Sequence, residues 1–372
     1  MRILALNYRD RKHPAAGGAE MHFHKIFSRI ATAGNEVVLF TTAFPGAPVR
    51  ETVDGILVIL CGGDLAYQWN VARNFRKLDS EFHFDFVYED LNKLPLFAPL
   101  LTSKPHLVQI HHLWRGSIFK ETSFPVAFGV WLFETMIPLF YRRSHFVAVS
   151  PCTVQELVSL GIPEERISLV YNGADGVPVD YAFPAEKDRY FLWLSRVHRY
   201  KGILIALAAF KVFIEKHPDS GMKLRVAGRG PLLNKLPEIT GRMGIKDSVV
   251  IEGGVSAERK NELLTHALCL LQTSYKEGWG LTVIEAAERG TMTIASDVPG
   301  LRDSVQNGKT GLLFRTGADE AAACASAMEL VYEDSALRKK MEADARRYAA
   351  SFSWDRAAEE TLRLIRRIAG AK

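Results

Sequence analysis

Cysteine is scarce in this 372-residue chain. The four cysteines, at 61, 152, 269 and 324, are too scattered for a zinc knuckle or a redox pair. They read as reduced thiols of a cytosolic protein. Long apolar runs are missing as well. After Met1-Arg2 only Ile3–Leu6 is apolar before Asn7 and the charged stretch Arg9–Lys12, so no export signal is expected. A membrane-spanning helix needs about 20 apolar residues. The nearest candidate, Phe124–Tyr141, contains Pro125, Glu134 and Pro138. A cytoplasmic protein is therefore expected. There is no polybasic run of the kind that lines a nucleic-acid groove, so no nucleic-acid partner is expected. Low-complexity tracts and short-period repeats are absent too, which excludes collagen and extended disorder.

What is present is an ordinary globular composition, 48% hydrophobic and 24% charged, in a chain long enough for two domains. The formal charge of +5 is unevenly placed. Residues 1–180 hold 17 Lys/Arg and 18 Asp/Glu, whereas 181–372 hold 30 and 24. The dispersed excess in the second half suits a small anionic ligand.

Strand-like and helix-like segments alternate. In the first half, strands are predicted at Ile3–Tyr8, Val37–Thr41, Phe86–Tyr88, Leu107–Ile110, Phe146–Val149 and Ile167–Tyr171. A helix is predicted over Ala19–Thr32, with Met21, Ile26, Phe27 and Ile30 on its apolar face. Ser150-Pro151 is an N-cap followed by a proline at the first helical position. In the second half, strands are predicted at Tyr190–Leu194, Leu224–Ala227, Val249–Ile251, Leu268–Leu271 and Thr291–Ala295. Helices are predicted at 202–216, 232–243, 257–266 and 281–289, with Ser256 capping the third. Ser353 caps a last helix at 354–368. Gly173–Lys187, with two glycines and two prolines, is the natural linker. The pattern is α/β, two doubly wound parallel-sheet domains facing one another, with ligands beyond the carboxyl ends of the strands.

Several motifs fail on inspection. Asn307-Gly308-Lys309-Thr310 ends like a P-loop, but Asp303 stands where the first glycine is required. Gly228-Arg229-Gly230 begins a dinucleotide fingerprint, but Leu233 replaces its third glycine. His22 and His24 point to different faces of one helix, and no metal site is expected. Others stay open. Gly17-Gly18 opens the first helix and reads equally as an anion site or as a flexible turn. Arg196, Arg199 and Lys201 follow the first strand of the second half, where they would meet a diphosphate or serve as surface charge. Glu277 lies on a glycine-rich loop and Glu285 inside the following helix. The N–H groups of Gly280, Leu281 and Thr282 would be free for a phosphate there. Thr282 and Glu285 also have the spacing of a capping box, and local pattern favours that reading for Glu285. His111-His112 ends a strand at the carboxyl edge, where His111 is a candidate functional group.

Taken together these residues resemble the retaining glycosyltransferases of family four, with the two-domain GT-B fold. The resemblance runs through Gly17-Gly18-Ala19-Glu20, Val149-Ser150, Tyr171–Asp175, Arg196 with Lys201-Gly202, Ala227–Pro231, Glu277 to Glu285, Ala295–Gly300 and Gly308 with Thr310–Leu313. It implies an acceptor-binding domain over 1–175, with the C-terminal helix 353–372 packed back on it, and a donor-binding domain over 176–352. The active site would lie in the inter-domain cleft. It implies that Arg196 and Lys201 grip the diphosphate of a nucleotide sugar, helped by the backbone of Gly18, Gly280, Leu281 and Thr282. Glu285 would bind the donor ribose, Glu277 the hydroxyls of the transferred sugar, and His111 would lie beside that sugar. Departures fall near the nucleotide, where Arg199-Tyr200 and Arg229 stand at commonly acidic positions.

The implied reaction moves a hexose from a UDP- or GDP-sugar to a hydroxyl of a glycan or glycolipid, in cell-surface polysaccharide or glycoconjugate synthesis. Fixed cations and helix N–H groups suit the charge that builds on the leaving diphosphate. No Asp-x-Asp pair is present to hold an ion, and neither cofactor nor metal is expected. The alternatives are an epimerase or phosphorylase of similar fold, or a non-catalytic nucleotide-sugar-binding protein. Residues 113–141 hold eight aromatics, flanked by Arg115, Lys120, Arg142 and Arg143. The favoured reading is a core helix covering the first sheet. The other is peripheral contact of 113–143 with an anionic membrane carrying a lipid-linked acceptor.

Overall fold

The computed structural model describes residues 1–178 and 181–370, leaving the side chain of Lys120 aside. Val179 and Asp180, part of the expected linker, lie outside the described residues. The chain divides into two compact units. One comprises Met1–Gly173 with Ser353–Lys372 and the other Ala174–Phe352.

The first unit runs β1 (Arg2–Leu6), α1 (Gly18–Thr32), β2 (Glu36–Thr42), β3 (Arg50–Val53), β4 (Ile56–Cys61), α2 (Tyr67–Phe82), β5 (Phe86–Leu91), β6 (His106–Ile110), α3 (Phe124–Thr135), α4 (Ile137–Phe140), β7 (His145–Ala148), α5 (Pro151–Leu160) and β8 (Ile167–Leu169). Its eight strands lie in the order β3-β4-β2-β1-β5-β6-β7-β8. Among the described residues only β3 pairs antiparallel, on β4. The β3–β4 turn, Asp54-Gly55, has positive φ at both residues, as a two-residue hairpin requires. One face of the sheet is covered by α2 through Tyr67, Val71, Phe75 and Leu78. On α1, Phe23, Ile26, Phe27 and Ile30 are buried, and the Phe27 and Tyr88 rings lie 4.5 Å apart. Met21, expected on that stripe, is 40% exposed. Glu20, His22 and His24 are buried in its stead, so the first turns of α1 bury polar groups.

The expectation of a core helix over 113–141 is corrected. Within α3 only Ala127 and Glu134 are buried. Phe124 is 69% exposed, Val126 54% and Leu139 52%. The inward anchor is polar: the Glu134 carboxylate accepts the backbone N–H groups of Trp114 and Arg115, both at 2.7 Å. That bond fixes which side faces in, and the apolar majority is left outside. Among the described residues no helix is long and apolar enough to cross a membrane.

The second unit runs β9 (Tyr190–Leu194), α6 (Ile203–Lys216), β10 (Lys223–Ala227), α7 (Leu236–Arg242), β11 (Val249–Gly253), α8 (Ala257–His266), β12 (Cys269–Gln272), α9 (Leu281–Glu288), β13 (Thr293–Ser296), α10 (Leu301–Ser304), β14 (Gly311–Phe314), α11 (Glu320–Glu333) and α12 (Ser335–Ala349). Its six strands are all parallel, in the order β11-β10-β9-β12-β13-β14. Trp193, Phe191, Phe210 and Phe213 are the largest side chains of its core, all fully removed from water. The last helix, α13 (Trp354–Ile368), belongs to the first unit and packs along α1. Ser150, Ser256 and Ser353 each accept a first-turn N–H of the helix that follows, as predicted.

Strand order reverses between β1 and β5 in the first sheet and between β9 and β12 in the second. In open α/β sheets the loops leaving the carboxyl ends at such a point form the ligand crevice. The segments that carry the candidate residues leave β1, β9 and β12 at these points and, for His111, the neighbouring β6.

Candidate active site

In the second unit, the chain leaves β9 at Ser195 and turns through Arg199–Lys201 into α6. It leaves β12 at Thr273 and runs to α9. The two segments are tied at their base. Thr273 Oγ1 donates to the Gly202 carbonyl at 2.7 Å, and Tyr275 N–H donates to the Tyr200 carbonyl at 2.8 Å. Trp193 Nε1 donates to Thr273 Oγ1 at 3.1 Å, which links the clamp to the core. Above this base, Lys201 Nζ lies 2.5 Å from Glu277 Oε1, and Ser274 Oγ donates to the same oxygen at 2.9 Å. Both partners of the ion pair are nearly withdrawn from solvent, with side chains 11% and 12% exposed. Each charge therefore fixes the other's rotamer. Arg196 is exposed, donates to Tyr200 Oη and lies over that ring, as Lys201 does at 5.1 Å. Burial, Arg196 and Lys201 together push the His198 imidazole below its ordinary range, so His198 adds no charge here at neutral pH.

The capping-box expectation for Glu285 fails. α9 begins at Leu281 with Gly280 as its N-cap, at φ 83, so Thr282 is already inside the helix and cannot cap it. Glu285 instead pairs with Lys260 of α8 at 2.8 Å. Leu281 and Thr282 sit in the first turn, where no earlier helical carbonyl can accept their N–H groups. A Cβ on Gly300 would lie 2.3 Å from the Glu277 carbonyl. The 295–300 segment is thus packed on the glutamate's own backbone and holds it in place.

In the first unit, Gly17 is the N-cap of α1 and its N–H donates to Glu20 Oε2 at 2.7 Å. Gly18 is the first helical residue. His111 leaves β6 with its Nε2 3.0 Å from Asp90 Oδ1. Asn7, at the end of β1, donates to Asp90 Oδ2 at 3.1 Å. His22 of α1 meets the His111 ring edge-on, centroids 4.8 Å apart. His24 goes elsewhere, to Asp10 at 2.7 Å, as the two-residue spacing predicts. Among the described residues one group of metal-capable side chains converges, His22, Asp90 and His111, with ligand atoms within 4.8 Å of one another. Both Asp90 oxygens already accept hydrogen bonds, and we read the group as a hydrogen-bonded pair with a packed neighbour.

Sequence reasoning singled out Lys201 and Glu277 separately, and the structure brings them together. It missed Ser274, Lys260, Asn7 and Asp90, and noted Tyr200 only as a departure from the family pattern. Glu20 was noted only inside a motif. A polar residue next to the end of a buried strand was the available signal for Asp90.

Two doubly wound sheets of this order, parallel but for the edge strand β3, are the architecture of the GT-B class of glycosyltransferases. Residues 182–348 match the family described as Glycosyl transferases group 1, and residues 16–176 match Glycosyltransferase Family 4. The chain belongs to this glycosyltransferase family. It is 26% identical to the D-inositol 3-phosphate glycosyltransferase of Nocardia farcinica, over 93% of this chain and 84% of that one. The fold is that of sucrose-phosphate synthase from Thermosynechococcus elongatus, with TM-score 0.84, 20% identity and full coverage of both chains. It is also that of Anabaena HepE in complex with UDP and glucose, with TM-score 0.76, 17% identity and coverage of 98% and 99%.

Proposed function

We propose that this glycosyltransferase is retaining and moves a hexose from a UDP- or GDP-sugar to a hydroxyl of a glycan or glycolipid. The observation that carries the reading is the Lys201–Glu277 pair, set at the switch point of the second sheet before the N-terminus of α9. Breaking a sugar–diphosphate bond puts negative charge on the leaving phosphate and positive charge on the anomeric carbon. Lys201, Arg196 and the first-turn N–H groups of Leu281 and Thr282 stabilise the first. The Glu277 carboxylate stabilises the second and holds sugar hydroxyls. Glu285 takes the donor ribose, Gly18 contributes a backbone N–H, and His111 acts on the transferred sugar. The UDP and glucose of the Anabaena structure and the phosphorylated acceptor in the Nocardia enzyme's name support a UDP-sugar donor and a polar hydroxyl acceptor. No metal is needed, because protein cations occupy the phosphate side.

A panel of UDP- and GDP-sugars, scored by thermal shift and nucleoside-diphosphate release, tests this. One donor should stabilise the protein and turn over in excess EDTA. Arg196→Ala with Lys201→Ala should abolish nucleotide binding. Wild-type-like release by that double variant, or strict dependence on an added divalent cation, would overturn the assignment.

The exposed apolar face of α3 and α4, beside exposed Arg142 and Arg143, supports peripheral contact of 113–143 with an anionic membrane that presents a lipid-linked acceptor. Each basic residue near such a surface contributes about 1 kcal/mol. Arg142→Glu with Arg143→Glu should therefore weaken binding to phosphatidylglycerol vesicles by roughly tenfold or more. Equal sedimentation of variant and wild type would remove the membrane from the proposal.

A further inference from the structure

One set of polar side chains in the first unit, buried or half-buried, surrounds His111 and, apart from His111 itself, is unused by the reaction as described above. It forms a continuous chain of hydrogen bonds. Gly17 N–H donates to Glu20 Oε2 at 2.7 Å, and Asn92 Nδ2 donates to Glu20 Oε1 at 3.4 Å and to Asn7 Oδ1 at 2.9 Å. Asn7 Nδ2 donates to Asp90 Oδ2 at 3.1 Å, and His111 Nε2 donates to Asp90 Oδ1 at 3.0 Å. The participants come from α1, β5 and the segments leaving β1, β5 and β6, all around the first sheet's switch point. Asp90 and Asn7 are fully buried. A carboxylate in that position is costly unless paired.

We infer that Asp90 is a positioning residue for His111, holding the ring's Nε2–H and its positive charge, and that the Glu20–Asn92–Asn7 chain ties this pair to the Gly17-Gly18 turn. The inference rests on the reading of His111 as a group that acts on the transferred sugar. Commitment of Nε2 to Asp90 leaves Nδ1 as the ring's remaining donor. A charged ring donates a stronger hydrogen bond than a neutral one. The titratable groups that act on His111 are Asp90 on β5 and Glu20 and His22 on α1. Burial pulls His111 down, but the Asp90 charge and hydrogen bond, with Glu20, outweigh it and leave His111 above its ordinary value. Burial and the neighbouring His111 push His22 well below. Two touching histidines are thus driven apart, His111 toward the charged form and His22 toward the neutral one, as groups with distinct roles are.

The sign follows. The charged form of His111 is present below its raised pKa and lost as pH climbs through it. Asp90→Asn keeps the shape but removes the charge, so the His111 titration should move to lower pH by about one to three units. The alkaline limb of kcat should move with it, while donor KM stays within about twofold, and Asp90→Glu should recover part of the shift. NMR titration of histidine-labelled protein reads the first effect without any substrate, with His111→Gln assigning the resonance. If Asp90→Asn does not fold, wild-type His111 decides alone: a midpoint above the ordinary 6.5 supports the pairing and one below it overturns it. An unmoved titration in Asp90→Asn also overturns it. A moved titration with an unmoved kcat profile removes the positioning role and, with it, the part given to His111 in transfer. Failure of every donor in the panel would sink the proposed function and leave the titration result standing.

Discussion

Glu277→Gln is expected to lower kcat by about 10²–10³-fold while leaving nucleoside-diphosphate affinity within a few-fold. Glutamine fills the same volume and still accepts from Ser274 Oγ, now 2.9 Å from Glu277 Oε1, so the loop keeps its shape. What disappears is the charge. In the resting protein that charge is shared with Lys201 at 2.5 Å. Under the proposed function, an arriving diphosphate gives Lys201 a second anion and releases Glu277 to face the positive charge that develops on the sugar. The glutamine variant still offers Lys201 and Arg196 to the diphosphate, but nothing to the anomeric carbon. The interaction removed is therefore one made mainly in the transition state, which lowers kcat and not binding. Calorimetric titration with UDP and GDP reads the affinity, and initial rates of nucleoside-diphosphate release read the turnover. Unimpaired kcat would remove Glu277 from the chemistry. A collapse of nucleotide binding alongside kcat would show instead that the carboxylate's principal role is to hold Lys201 in position.

The contrast between Glu277 and Asp90 shows what a sequence discloses. Glu277 lies in a segment dense in glycine, after a strand and before a helix, and local pattern alone brings it forward. Tyr190–Leu194 and 257–266 were likewise legible to the residue, because caps and buried β-rich runs are local signals. Asp90 is the last but one residue of an unbroken buried strand, and its partners Asn7 and His111 come from two other points of the chain. Only the parallel register of β1, β5 and β6 brings them together. Strand pairing is a tertiary fact that no short window contains. The β3–β4 hairpin and α2 are a different case. Asp54-Gly55 is a strong turn signal, and Tyr67, Val71, Phe75 and Leu78 recur at helical spacing. These were readable and went unread. The helix α3 misled for a physical reason. Eight aromatics in one stretch argue for burial, yet the inward face was set by one glutamate bonded to two backbone N–H groups. A buried, satisfied charge outweighed apolar area in choosing the orientation.

Gly202→Ala should be among the most damaging single substitutions in the second unit. Gly202 has φ 69, in the left-handed region, where alanine pays about 1 kcal/mol for its Cβ. Sterics add far more. The new Cβ would stand 1.8 Å from the Thr273 carbonyl oxygen and 2.7 Å from its carbon. Those atoms are backbone and have no side-chain freedom with which to retreat. Thr273 is moreover held by its own bonds, from Trp193 Nε1 and to the Gly202 carbonyl. Relief requires the segment after β9 to part from the segment after β12, which breaks the clamp beneath Lys201 and Glu277. A loss of about 4 kcal/mol or more is expected, of the size seen when backbone strain and a buried hydrogen-bond set fail together. For a unit of this size that lowers its melting temperature by roughly 8–16 °C. Any folded fraction should bind UDP or GDP at least tenfold more weakly, because Lys201 directly precedes the displaced residue. Gly241→Ala in α7 is the matched control. It has open space where its Cβ would go and no positive φ, so it should melt at or slightly above the wild-type temperature. Differential scanning calorimetry of the two variants separates the effects. Wild-type melting and nucleotide affinity in Gly202→Ala would mean that the two segments are free to separate, and that the Lys201–Glu277 pair is not held by the backbone beneath it.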